Sequence, residues 1–163
     1  MPYFLEAYLD IETTGLSPVN CQITTVGIYV TNETYSRFVQ LVGEEVTTGN
    51  LLEALSGATN IYTYNGSRFD LPFIRFCTGL DLAALFPHCD LMYVCWRNSL
   101  YGGLKAVERQ LGIARKLKDI QGYDAIRLWQ KYQSDSDEDA LATLLEYNKE
   151  DVINLKSLKE NLL

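Results

Sequence analysis

The last part of the chain carries a helical stripe that has two polar members among its leucines. Its members recur at alternating spacings of three and four residues, so they lie on one side of a helix. They are Leu141, Leu144, Asn148, Asp151, Leu155, Leu158 and Leu162. Such a stripe packs against a core, and a carboxylate buried there without a partner is strongly destabilising. The sequence therefore predicts a helix over 138–162 that brings Asp151 to a cation, to strong donors, or to a hydrogen bond with the backbone.

Three other carboxylates stand where a simple amphipathic pattern calls for different residues. Asp10 and Glu12 are two positions apart in a predicted strand, so both leave the same face of the sheet, while Leu9 and Ile11 leave the other. Asp70 follows a strand and precedes a helix. A solvated acidic face explains the first pair alone, and a helix N-cap explains Asp70 alone. Several like charges directed at one spot are usually held there by divalent cations, which explains all of them together.

The composition indicates one globular domain over residues 1–163. The chain is 47% hydrophobic, with 11 Gly and only 4 Pro, which is enough to build a core. It has no run of about 18 apolar residues and no signal-peptide pattern at its start, so we expect a cytoplasmic protein without membrane contact. The four cysteines form no CxxC pair, which favours free thiols. A zinc site at His88, Cys89 and Cys95 is the less favoured alternative to a buried strand there.

The net charge of −7 argues against binding to duplex nucleic acid by charge alone. Basic residues are nevertheless concentrated between residues 97 and 118, where six cations face one acid, Glu108, giving a local balance of +5. The six are Arg97, Lys105, Arg109, Arg115, Lys116 and Lys118. This segment is either solvated surface or a contact for phosphates.

The pattern of apolar residues predicts hairpins first, and then strands alternating with helices. Strands are predicted at 3–11, 22–31, 34–41, 60–64 and 90–95, and the first three are expected to be antiparallel. Helices are predicted at 47–55, 72–77, 103–111, 123–132 and 138–162. The expected fold class is α/β, a mixed sheet with three antiparallel N-terminal strands followed by parallel strands, and helices packed on both faces.

Three short motifs in this order resemble those of the DEDD superfamily of 3′–5′ exonucleases, which have a ribonuclease H-like fold. They are Asp10-Ile-Glu12, the segment from Asn65 to Asp70, and Tyr147-Asn-Lys-Glu-Asp151. The tyrosine four residues before the last aspartate is typical of the DEDDy subgroup. The chain is also similar to the proofreading domains of family B DNA polymerases and, over residues 3–160, to predicted stand-alone ribonuclease H-like exonucleases.

The resemblance implies a 3′–5′ exonuclease that releases nucleoside 5′-monophosphates from single-stranded nucleic acid, with DNA favoured over RNA. It implies that four carboxylates hold two Mg²⁺ or Mn²⁺ ions and that Tyr147 orients the attacking water. These metal ligands are Asp10, Glu12, Asp70 and Asp151, and with Tyr147 they form the catalytic set. The expected contacts to the 3′ end of the strand are Thr13, Thr14, Gly15, Leu16, Asn65, Phe69 and Lys105.

Two other functions fit parts of the pattern. A haloacid-dehalogenase-type phosphatase also uses an acidic strand end, but its Asp-x-Asp pattern differs from Asp10-Ile-Glu12, and no convincing catalytic lysine is found. A catalytically weak or inactive nucleic-acid-binding module of the same fold is the stronger alternative. The metal interpretation fails if Asp70 or Asp151 lies well away from the strand of Asp10 and Glu12, directed into solvent or bound to an arginine.

Overall fold

A five-stranded mixed sheet forms the centre of the molecule. The computed structural model describes residues 4–163, so residue 3, where the first strand is predicted to begin, lies outside the described residues. The strands are β1 (Leu5–Thr13), β2 (Ile23–Thr31), β3 (Ser36–Val42), β4 (Ala58–Thr63) and β5 (His88–Asp90). Their order in the sheet is β3-β2-β1-β4-β5. The first three strands are antiparallel, as predicted, and β4 and β5 run parallel to β1.

Seven helices of widely different length flank the sheet over residues 4–163. They are α1 (Thr48–Ala54), α2 (Asp70–Thr78), α3 (Leu82–Leu85), α4 (Leu91–Arg97), α5 (Leu104–Leu111), α6 (Gly122–Asp135) and α7 (Glu138–Leu162). Glycine in the left-handed conformation ends α5 at Gly112, as the sequence indicated. Within residues 4–163, none of the helices is long and apolar enough to cross a membrane.

The two faces of the sheet bury separate cores, because successive residues of β1 point in opposite directions. Leu9 and Ile11 pack with residues of α1 and α2 on one face. Tyr8 packs on the other face with residues of α4, α5 and α7. Helices therefore cover both faces, and the expected α/β fold class is confirmed.

The predicted strand at 90–95 is wrong. Only His88–Asp90 forms a strand, and Leu91 begins helix α4, whose first turn is capped because Asp90 accepts a hydrogen bond from the backbone N–H of Met92. The helix buries Leu91, Val94 and Cys95 on one side, at a spacing that a short apolar run shares with a buried strand. Helix α2 also begins two residues earlier than predicted, at Asp70.

Candidate metal centre

The end of β1 and the middle of α7 bring three carboxylates together. Asp10 and Glu12 leave the same face of β1, as predicted, while Leu9 and Ile11 are buried on the other. Asp151 approaches these two side chains from α7 and is only 8% exposed. One ligand oxygen from each of these three residues lies within 4.8 Å of the others. The structure thus gathers side chains that are about 140 residues apart in the sequence, in an arrangement that could hold a cation.

A glycine in the middle of β2 allows α7 to approach the sheet this closely. Gly27 is the register partner of Asp10. A Cβ atom at Gly27 would lie 2.3 Å from Oδ1 of Asn148 and 2.8 Å from Cγ2 of Val152, both on α7. Neither contact is tolerable, so only glycine permits the observed packing. An isolated glycine inside a strand pattern is the signal that could have predicted this close approach.

Asn148 connects α7 to the backbone and side chain of Asp10. Its Nδ2 donates hydrogen bonds of 3.2 Å to both the carbonyl oxygen and Oδ2 of Asp10. Its Oδ1 accepts one from Nε2 of Gln40, and the same amide group of Gln40 donates to the carbonyl oxygen of Leu145. Asn148, one of the two polar members of the helical stripe, is therefore a positioning residue for Asp10. Gln40 gave no signal in the sequence.

Asp70 lies beside the three-carboxylate group but outside it. Its Oδ2 accepts a 3.1 Å hydrogen bond from the backbone N–H of Ile11, the residue between Asp10 and Glu12. The ladder between β1 and β4 reaches only Tyr8, so Asp70 supplies the acceptor that a longer β4 would have supplied. Asp70 is the first residue of α2 rather than its N-cap, and it is 3% exposed.

Burial and mutual repulsion raise the pKa of every carboxylate in this region. Burial and the charge of Asp151 hold the pKa of Asp10 and of Glu12 well above the usual range. Burial raises the pKa of Asp70 to about 7, although the N–H of Ile11 opposes the shift. Burial likewise raises the pKa of Asp151 to about 6 against the lowering effect of Arg115. A divalent cation would relieve this repulsion, and oxygen donors suit Mg²⁺ or Mn²⁺.

Asp151 is paired with an arginine, contrary to expectation. The Nη2 of Arg115 lies 2.5 Å from Oδ1 of Asp151 and 2.6 Å from Oε1 of Glu108, and its Nε donates to Oε2 of Glu108. Asn154 donates to the same Oε2. Both Arg115 and Glu108 are buried, so the interpretation of Arg115 as solvated surface is wrong. Because a carboxylate has two oxygens, this contact leaves Oδ2 of Asp151 available to a cation.

Tyr147 lies one turn before Asp151 and contacts Lys105. The Nζ of Lys105 donates hydrogen bonds to the hydroxyl oxygen of Tyr147, at 2.7 Å, and to the carbonyl oxygen of Ile120, at 2.6 Å. Burial and the charges of Asp151 and Glu12 raise the pKa of Tyr147, so its hydroxyl remains protonated. Lys105 occupies one lone pair of that hydroxyl, which leaves the O–H proton for another acceptor.

The remaining predicted contacts follow β1 and β4. The Oγ1 of Thr13 donates to the carbonyl oxygen of Gly15, and Oγ1 of Thr14 accepts from the N–H of Gln22, which closes the turn after β1. Leu16 projects from this turn with 87% of its surface exposed. The turn therefore places an apolar side chain in solvent just beyond the carboxylates.

The loop after β4 is held by Asp90, which the sequence did not single out. Oδ1 of Asp90 accepts from the N–H of Asn65, and Oδ2 accepts from the N–H and hydroxyl of Ser67. Asn65 has a φ of 61°, in the left-handed region. Phe69 is half-buried and packs edge-on against Phe73, with ring centroids 5.4 Å apart, so part of its ring belongs to the core.

Comparisons with known proteins agree with this architecture. The chain is 30% identical to the uncharacterized protein YprB of Bacillus subtilis (strain 168), over 93% of this chain and 40% of that protein. The chain thus spans less than half the length of this relative. A solved structure described as the apo form of the nuclease superposes with a TM-score of 0.60 at 20% identity, covering 98% of this chain and 70% of the other. An apo structure of exonuclease I superposes with a TM-score of 0.50 at 16% identity, covering 86% and 44%.

The family assignment comes from the sequence as a whole. The family model RNase_H_2, described as RNase_H superfamily, matches residues 7–163, from the first core residues of β1 to the end of α7. The match therefore includes every carboxylate of the centre, β1 from its third residue onward and the other four strands in full. The chain belongs to the RNase H superfamily.

Proposed function

We propose that this chain is a metal-dependent 3′–5′ exonuclease of the DEDDy type, acting on the 3′ end of single-stranded nucleic acid and releasing nucleoside 5′-monophosphates. The observation that carries the proposal is the convergence of Asp10, Glu12 and Asp151, whose ligand oxygens lie within 4.8 Å of one another. The structural neighbours described above are a nuclease and an exonuclease I, in keeping with this proposal.

The donor set fits divalent ions. Asp10, Glu12 and Asp151 offer only carboxylate oxygens, and burial raises the pKa of all three, with the charge of Asp151 adding to the shift at Asp10 and Glu12; a cation would oppose these shifts. Asp70 keeps one oxygen on the N–H of Ile11, and its other oxygen completes the four-carboxylate set. Two Mg²⁺ or Mn²⁺ ions held here would supply Lewis-acid activation of the phosphodiester and of the attacking water.

The protein's own groups position the reactants. Tyr147 is a poor base because its hydroxyl stays protonated, and with one lone pair engaged by Lys105 its O–H donates a hydrogen bond to the water or to a phosphate oxygen. Lys105 adds a positive charge beside the scissile phosphate. Asn148 fixes Asp10 in both backbone and side chain, which keeps the carboxylates in register.

The two loops that flank the carboxylates would receive the end of the strand. The turn after β1 offers backbone groups and hydroxyls to the terminal sugar and the exposed Leu16 to a base; it consists of Thr13, Thr14, Gly15 and Leu16. The loop after β4 offers Asn65 to the sugar and the exposed part of the Phe69 ring to a base, because an aromatic ring stacks on any base.

A catalytically weak or inactive nucleic-acid-binding module is the second candidate. The observation that favours it is the 2.5 Å contact between Arg115 and Asp151, because an arginine can replace the charge of a cation. Under this alternative the carboxylates bind no divalent ion tightly. Calorimetric titration with Mn²⁺ separates the two functions, since only the nuclease requires binding that is lost in Asp10→Ala.

End-labelled substrates test the activity and its polarity. Single-stranded DNA, duplex DNA and RNA, each labelled at the 5′ end, are incubated with Mn²⁺ and with wild type, Asp10→Ala, or the control Asp135→Ala, which changes an exposed aspartate. We expect a ladder of shortened, still labelled products from at least one substrate with wild type and the control, and none with Asp10→Ala. Immediate release of the label or internal nicking would contradict the polarity. Binding without cleavage in all three proteins would support the second candidate.

A further inference from the structure

A cavity of about 330 Å³ lies between α5 and the segment that follows it. Its wall contains four cationic side chains, those of Lys105, Arg109, Arg115 and Lys118, and a single acidic one, Glu108. The charge of the wall is therefore +3, four cations less one acid, in a chain whose net charge is −7. Four of the six cations in the basic segment between residues 97 and 118 surround this one space.

Within residues 4–163, Arg115 pairs with Glu108, Asp151 and Glu150, whereas no salt bridge forms to the exposed cations Arg109 and Lys118 of this wall. Glu108 is fully engaged, because both of its oxygens accept hydrogen bonds from Arg115 and one also accepts from Asn154. The Nη1 of Arg115 is buried and has no hydrogen-bond partner among residues 4–163, although Oε1 of Glu150 is 3.8 Å away. A buried N–H group without an acceptor is costly, and an oxygen of a bound anion would satisfy it.

The cavity shares part of its wall with the candidate metal centre. Lys105 donates to the hydroxyl oxygen of Tyr147, and Arg115 donates to Asp151. Arg109 and Lys118, which also line the cavity, are exposed to solvent. A ligand lying there would extend from the reaction centre toward solvent. Ile113 adds an apolar part to the wall, which suits the sugar or base attached to a phosphate.

We propose that this cavity binds a backbone phosphate of the nucleic-acid strand, next to the phosphate that is hydrolysed. The inference rests on the proposed function and gives it a second anchoring point. It also resolves how an acidic chain holds its substrate, because the contact is made by one local group of cations rather than by the net charge. A free nucleotide or inorganic phosphate has the same chemistry and is distinguished experimentally.

The salt dependence of strand binding tests the cavity. In an Asp10→Ala background, which removes cleavage, Arg109→Gln is combined with Lys118→Gln, leaving Lys105 and Arg115 in place. Arg97→Gln combined with Lys116→Gln is the matched control, because it removes two exposed cations of the same segment that do not line the cavity. Binding of a fluorescent single-stranded oligonucleotide is measured by anisotropy at several salt concentrations.

Each neutralised phosphate of a single strand contributes about 0.7 to the slope of log K against log salt concentration, so loss of the one phosphate held in the cavity lowers its magnitude by about 0.7. We expect this decrease for the cavity variant and a clearly smaller one for the control. Equal slopes in the two variants would overturn the proposal. A second measurement titrates inorganic phosphate and follows its ³¹P resonance. If the cavity variant loses the binding of inorganic phosphate but keeps the salt dependence of strand binding, the ligand of the cavity is a free phosphate and not a phosphate of the strand.

Cleavage by the chain with an intact Asp10 is measured separately. Absence of cleavage together with the expected change in slope would refute the nuclease and leave the cavity assignment standing. Cleavage together with unchanged slopes would refute only the cavity assignment.

Discussion

Substitution of one buried glycine should disturb both the stability of the fold and the metal centre. In Gly27→Ala the new methyl group would lie 2.3 Å from Oδ1 of Asn148 and 2.8 Å from Cγ2 of Val152, whereas ordinary contact begins near 3.4 Å. Helix α7, strand β2 or the side chains of Asn148 and Val152 must therefore move by roughly 1 Å. Overpacking of this kind costs about 1–3 kcal/mol in a close-packed interior.

The displacement should also reach the carboxylates. Asn148 holds Asp10 through two hydrogen bonds of 3.2 Å, which leaves little room for lengthening, and Asp151 is on the same helix. A shift of 1 Å widens the centre between β1 and α7. Misplacement by about 1 Å can reduce a reaction rate by about 10²-fold, so we expect weaker Mn²⁺ binding and a loss of cleavage of this order.

Thermal unfolding, Mn²⁺ titration and cleavage are measured for wild type, Gly27→Ala and the control Gly49→Ala, at which an added Cβ meets nothing within 4 Å. For a chain of this size each kcal/mol lowers Tm by about 2–4 °C, so Gly27→Ala should lower it by about 2–12 °C. The control should leave all three measurements close to wild type. In an Asn148→Ala background, which removes the closest contact, the destabilisation should be smaller by more than about 0.5 kcal/mol. Strict additivity, or wild-type behaviour of Gly27→Ala, would refute the proposed packing of α7 on β2.

Three other substitutions probe the centre. Because the pKa of Asp70 is raised to about 7 and that of Asp151 to about 6, the folded state retains protons that the unfolded state releases. The contribution of these two groups to the free energy of unfolding of the metal-free protein therefore falls as the pH rises from about 4 to about 7. Denaturant titrations in EDTA should show a smaller decrease for Asp70→Asn than for wild type. An equal decrease in the two proteins would contradict the raised pKa of Asp70. Tyr147→Phe should slow cleavage by about 10²-fold while Mn²⁺ affinity stays at the wild-type value, and loss of the ions would contradict a purely positioning role. Arg115→Ala should lower the free energy of unfolding by about 3–5 kcal/mol in urea, because it leaves Glu108 buried without its cation, and a change below about 1 kcal/mol would argue against a buried ion pair.

The elements whose apolar residues recur with a regular period were predictable from the sequence. The antiparallel strands and the last helix carry long patterns, and five of the seven members of the stripe are buried as predicted, Asn148 and Asp151 among them, while Leu141 and Leu162 at its ends are partly buried. The short apolar run at 90–95 was not assigned correctly, since its spacing suits a buried strand and a helix equally. Asp90 caps helix α4 at this point, and it can do so only because strand β5 ends at Asp90 itself.

The carboxylates of the candidate site were predictable, but their neighbours were not. Asp10 and Glu12 share a strand face by simple alternation, and this local rule needs no tertiary information. The pairing of Arg115 with Glu108 and Asp151 joins three segments, and no pattern within a single element indicates it. Gly27 was visible as an isolated glycine in a strand, yet the helix that approaches it lies more than 120 residues later in the chain.

The hydrogen bond between Asp10 and Asn148 joins positions 138 residues apart, so the carboxylates of the candidate metal centre come together only after α7 has docked on the sheet. Any ion that binds there binds the native chain and not the unfolded one. By mass action, an ion at 100 times its Kd would stabilise the native state by about 2.7 kcal/mol. The concentration of divalent metal would then set the fraction of molecules in which the last helix is detached from the sheet. Molecules without a bound ion would be degraded by proteases faster than molecules with one.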